Sequence, residues 1–120
     1  MNELNLYGLL SPEEMNALAA CMCVANLIGT KCQVSKKPFD FQLLEEDGKI
    51  IFESVCVMFA DEARAFIDVN DDGSLELEFQ CYTDGDPREG ETFYKLNIGI
   101  DIASKTEILG ILNNWGAPLK

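Results

Sequence analysis

The densest run of metal-ligand residue types is Asp68-Val69-Asn70-Asp71-Asp72-Gly73-Ser74-Leu75. Oxygen-bearing side chains at its first, third and fifth positions, with glycine at the sixth, match the opening of an EF-hand calcium loop. Hard oxygens converge there around one sharp turn. The set is incomplete. The twelfth position, where a bidentate glutamate would close the cage, is Phe79, and Glu78 falls one residue early. The flanks alternate like strands, whereas an EF-hand needs helices. Asp68, Asn70 and Asp72 thus make a weak divalent site at best, and a weak calcium-binding module ranks last among the functional expectations.

Paired carboxylates are the other chemistry on offer. If Asp68 and Glu76 oppose each other across a hairpin, one of them must ionise late, the condition for general acid–base work. An open sheet face lacks the apolar pocket such chemistry uses. The chain has no histidine, which excludes Cys2His2 zinc sites and Cys-His or Ser-His nucleophiles. Cys21-Met22-Cys23 is CxC, and on a helix its two thiols diverge by about 200°. The Gly85–Gly90 segment lacks the GK[ST] of a phosphate loop and is acidic where phosphate would sit. The expectation is a protein that is not an enzyme and needs no cofactor.

Charge points elsewhere. The chain of 120 residues carries 21 acids against 9 bases, a net charge of −12. Residues 40–91 hold sixteen acids and three bases (Lys49, Arg64, Arg88), a net of −13, and the remainder is close to neutral. Such a field repels nucleic acid and anionic lipid and attracts basic protein surfaces. No apolar run reaches the roughly 18 residues of a membrane span. The apolar residues 17–28 follow Pro12-Glu13-Glu14 rather than a basic leader, so a cytoplasmic location is expected. In that setting the five cysteines read as reduced, most of them core residues.

The elements that must position these groups are legible from periodicity. Ser11-Pro12-Glu13-Glu14 is a helix start with a capping box. The helix should run to about Ile28 with Gly29 just past its end. It is apolar nearly all round and should be buried on most sides, either cradled by a curved sheet or half in the core and half in a dimer interface. A short strand with Cys32 and Val34 inward is expected before the Lys36-Lys37 pair. Phe39–Glu46 and Lys49–Phe59 form a hairpin on Asp47-Gly48, which suits a type I′ turn and sets Leu43 against Phe52 and Glu46 against Lys49. Val55–Phe59 is apolar on both faces, so it should be central and covered on both sides.

Ala65, Ile67 and Val69 alternate before Asp71-Asp72-Gly73; Leu75, Leu77, Phe79 and Cys81 alternate after it. A three-residue loop with Gly73 at positive φ pairs Val69 with Leu75, Ile67 with Leu77 and Ala65 with Phe79. Glu91–Ile102 reads as a last strand. Ser104–Glu107 is a second capping box opening a helix that Gly116 and Pro118 end. The expectation is a single α+β domain over residues 1–120. It has two layers: a five-stranded antiparallel meander packed against an N-terminal and a C-terminal helix.

Carboxylates on a stiff sheet can imitate the spaced phosphates of nucleic acid and occupy a basic channel in its place. In size and strategy the chain resembles small acidic inhibitors of bacterial defence proteins, anti-CRISPR proteins among them, and acidic immunity proteins that block nuclease toxins. That resemblance implies a basic, nucleic-acid-handling protein partner. The residues expected to meet it are Arg64, Phe66, Asp68, Asp72, Glu76, Glu78 and Tyr82 on the opening hairpin, with Asp84, Asp86 and Glu89 on the following loop. In size, acidity and α/β make-up the chain also resembles type III secretion chaperones, which bind a client protein as dimers. Those proteins usually place a helix between the third and fourth strands, where this chain has Asp71-Asp72-Gly73. Monomer and homodimer are the two states these readings imply.

Overall fold

A computed structural model describes residues 10–82, 85–96 and 102–120, with backbone only for 102–104. At the first capping pattern the Glu14 amide donates to Ser11 Oγ at 3.3 Å, with Pro12 in the first turn where no amide donor is needed. Helix α1 spans Pro12–Lys31 and buries Leu18, Cys21, Val24, Ala25 and Ile28. It outlasts the expected stop at Gly29. Cys32 caps it, donating its amide to Ile28 O at 2.8 Å. Gly29 has a different use: a Cβ there would stand 3.0 Å from Phe39 Cζ, so the helix passes close over the sheet. The helix is also less buried than its composition suggests. Asn16, Ala19, Cys23, Asn26 and Thr30 form an exposed stripe. The sheet covers one side only, and small side chains cost little in water.

The five strands are β1 Val34–Glu46, β2 Lys49–Phe59, β3 Arg64–Val69, β4 Leu75–Cys81 and β5 Gly90–Leu96. Their spatial order is their chain order, and every pair is antiparallel. Both hairpin registers fall as the alternation dictates. Leu43 opposes Phe52 and Glu46 opposes Lys49, across a turn with Asp47 at φ 50° and Gly48 at φ 77°. Val69 opposes Leu75, Ile67 opposes Leu77 and Ala65 opposes Phe79, with Gly73 at φ 85°. Only a residue that tolerates positive φ suits these corners.

Three expectations shift at the edges. The short strand before Lys36 is the start of β1. Cys32, fully buried, lies just ahead of it and bridges to Leu119. Residues 97–101 of the expected last strand lie outside the described residues, and Ile102 belongs to the helix rather than the strand. Helix α2, Ile102–Trp115, begins ahead of the Ser104 capping box.

Val55, Val57, Phe59, Ala65, Ile67, Leu75, Leu77 and Phe79 turn to the helices and are almost wholly buried. Trp115 seals one end, stacked on Phe79 at 4.5 Å and tilted against Phe59 at 5.5 Å. The C-terminal residues tie both helices together. Pro118 O accepts from the Gln33 amide at 2.7 Å, and the Lys120 amide donates to Lys31 O at 2.9 Å. No disulfide joins any of the five cysteines. Burial pushes the Cys21 thiol up to about 12 and the Cys32 thiol up to about 11, so both are inert hydrophobes. Among the described residues no helix is long and apolar enough to cross a membrane.

Candidate protein-binding face

The sheet face away from the helices is built by the even-numbered residues of β3 and β4 and the odd-numbered ones of β5. Asp68 opposes Glu76, Phe66 opposes Glu78, and Arg64 opposes Gln80. Beyond them Glu78 opposes Phe93 and Glu76 opposes Lys95. On the other flank β2 carries a bulge. Gln42 pairs with Ser54 but Leu43 pairs with Phe52, leaving Glu53 as the extra residue. A bulge bends its strand and puts successive side chains on one side. Glu53 and Ser54 accordingly both line this face.

The result is a depression of about 210 Å³, not the open face the alternation suggested. Gln42, Glu53, Ser54, Phe66, Asp68, Glu76, Glu78 and Gln80 line it. Arg64, Phe66, Asp68, Glu76, Glu78 and Gln80 are half-buried, where full exposure was expected, and Tyr82 is exposed. The outer side of β2 is covered by side chains of its own sheet. Cys56 is buried between Asp40 of β1 and Phe66 of β3, its cross-strand partners. No second layer lies over it among the described residues.

Asp68 is the unusual group. Burial raises its pKa above the ordinary carboxyl value, and the charges of Glu76, Glu78 and Glu53 add to the rise. Among the described residues no salt bridge reaches Asp68, Glu76 or Glu78. Gln80 Nε2 donates to Glu78 Oε1 at 3.2 Å and to Glu91 Oε1 at 3.4 Å.

The other expected site residues scatter. The Arg64 guanidinium lies over the Tyr82 ring at 5.0 Å, and Tyr82 donates its hydroxyl to Gln80 Oε1. Arg64 Nε is buried without a partner. Asp72 sits at the hairpin tip. Its Oδ1 accepts from the Ser74 amide at 2.9 Å and its Oδ2 from Lys95 Nζ at 2.8 Å, which holds the carboxyl well below the usual range. Asn70 Nδ2 is spent on Ser74 Oγ at 3.0 Å. Asp68, Asn70 and Asp72 thus have separate local roles. Among the described residues no three His, Cys, Asp or Glu side chains gather as metal donors.

Asp84 lies outside the described residues. Asp86 is turned away from the acidic face. It takes the Arg88 guanidinium at 2.7 Å, and Arg88 also reaches Asp61 at 2.5 Å and lies over Trp115 at 4.8 Å. This cluster fastens the loop to the end of α2, and Gly116 makes room for it: a Cβ there would meet Arg88 Cδ at 2.9 Å. Glu89 is exposed beside it.

Sequence reasoning missed Gln42, Glu53 and Ser54. The only trace of Glu53 and Ser54 was a polar interruption ahead of the apolar Val55–Phe59 run, that of Gln42 a single polar residue between Phe41 and Leu43, and a bulge has no reliable local code. The face presents three carboxylates that no salt bridge reaches among the described residues, with Lys95 across from Glu76, beside Phe66 and the exposed Phe93 and Tyr82. Such a surface favours several cations held at fixed spacing. No family model, curated protein or solved structure matches the chain.

Proposed function

We propose that this protein binds and blocks a basic, nucleic-acid-handling protein through the outer sheet face of β3 and β4. The supporting observation is the Asp68–Glu76–Glu78 cluster, which no salt bridge reaches among the described residues and which is set in a depression on a hydrogen-bonded sheet. A carboxylate already strained by its neighbours gains most from an incoming lysine or arginine. Phe66 beside it offers a ring face to the same cation. The surrounding −13 over residues 40–91 steers a basic partner from a distance. Asp72 and Asp86 already hold cations, so Asp68, Glu76 and Glu78 carry the contact.

A pull-down from cells at low salt, read by mass spectrometry, identifies the partner. The pair Glu76→Lys and Glu78→Lys should weaken binding about tenfold or more, on the order of 1.4 kcal/mol. Binding of the parent should fall steeply with added salt. An acidic contact surface on the partner, or unchanged binding of the double variant, sinks the proposal.

A further inference from the structure

The two edges of the sheet are unlike. β1 breaks register between Val34 and Phe39, around Lys36, Lys37 and Pro38. Lysine, proline and a bulge are the devices that stop an edge strand from pairing. β5 lacks proline and pairs with β4 over all seven residues without a bulge. Its far side meets no strand among the described residues. Phe93, at its centre, is 56% exposed.

The sequence of this edge is self-complementary. In an antiparallel pair, opposed residues share a face, so two copies of one strand must pair about a residue, not between two. Centring on Phe93 pairs all seven residues of β5. It sets Phe93 against the partner's Phe93 and Thr92 against the partner's Tyr94. Glu91 then meets the partner's Lys95, and Lys95 the partner's Glu91. Centring on Thr92 or Tyr94 loses this charge match and shortens the ladder.

We propose that β5 pairs antiparallel with β5 of a second copy, about a two-fold axis at Phe93. Two Phe93 rings cover each other on the outer face, with an opposite-charge pair on either side. Lys95 also keeps Asp72: both are more than half exposed, and an ammonium has three donors. The dimer carries one ten-stranded sheet. It places the two carboxylate depressions on the same face, roughly 24 Å apart at the usual strand spacing. This pairing does not depend on the proposed inhibitory function. Two seven-residue edges bury less than a standard interface, so the dimer is weak and concentration-dependent.

The test is sedimentation and light scattering of the full chain from micromolar to near-millimolar concentration. Physiological ionic strength screens the −12 of each copy. The mass should climb from 13.3 kDa towards twice that value. Glu91→Lys should raise the dissociation constant about tenfold, since each change acts twice across the axis. Combining it with Lys95→Glu should recover part of that loss, since the charge match across the axis returns while Lys95's pairing with Asp72 is given up. Amide exchange in β5 should slow as concentration rises. A chain that stays monomeric throughout, a dimer indifferent to Glu91→Lys, or a dimer whose β5 amides exchange as in the monomer would overturn the pairing.

Discussion

Asp68 shows how one side chain records the strain of a surface. Its carboxyl is half-buried beside Glu76 and Glu78, and burial and like charge both raise its pKa above 3.8. A carboxyl raised in the folded state binds its proton more tightly there than in the unfolded chain. Its contribution to stability is therefore full below pH 3.8 and is lost as pH rises through the folded value. Asp68→Asn should raise the melting temperature at neutral pH by about 2 °C, a small effect because solvent screens a half-exposed group. The gain should vanish below pH 3.8, where the parent is protonated in both states. A gain that persists in acid would mean that Asp68 is not strained by charge. Asp72 and Asp86 run the other way. Lys95 and Arg88 hold them low, so what they contribute is lost as pH falls below 3.8.

Helix α1 packs chiefly on β2 and β3 and meets β1 closely where Gly29 passes Phe39. Glycine inside a helix costs about 1 kcal/mol relative to alanine, yet Gly29 sits two residues before the helix ends. The contact with Phe39 explains it, since an added Cβ would stand 3.0 Å from the ring tip. Gly29→Ala should therefore fail to stabilise the parent. In a Phe39→Leu background, which removes the ring tip, the same change should stabilise by about 1 kcal/mol. Urea unfolding of the four proteins of this cycle measures the coupling, and simple additivity would refute the close-approach account.

Across the whole molecule, the sheet and its turns carry the acid excess, a net of −13 over residues 40–91, while the rest of the chain is nearly neutral. The described ion pairs are three, and two of them share Arg88. Repulsion within the acidic face should outweigh these few attractions. Raising sodium chloride from low to about 0.5 M should then raise the melting temperature by about 3 °C or more, since salt screens the longer-range repulsions. Calorimetry checks the sign. A melting temperature that falls with salt would mean that the ion pairs dominate.

The meander, both tight turns and their registers follow from local rules. A period of two assigns each residue of β3 and β4 a face, and a glycine at positive φ sets each corner, so the alternation alone places Asp68 opposite Glu76. The start of α1 is equally local, because Ser11 and Pro12 act within one turn. Tertiary structure decided what no local rule reaches. The bulge at Glu53 depends on how β1 lies against β2, and it turns an acidic face into a depression. Asp86 reads in the sequence as one more exposed acid, but Arg88 draws it to Trp115, a residue distant in the chain. The end of α1 moved because Cys32 pairs with Leu119 at the far end of the chain. Charge and periodicity are properties of neighbouring residues, whereas burial and pairing at a distance are settled only when separate elements meet.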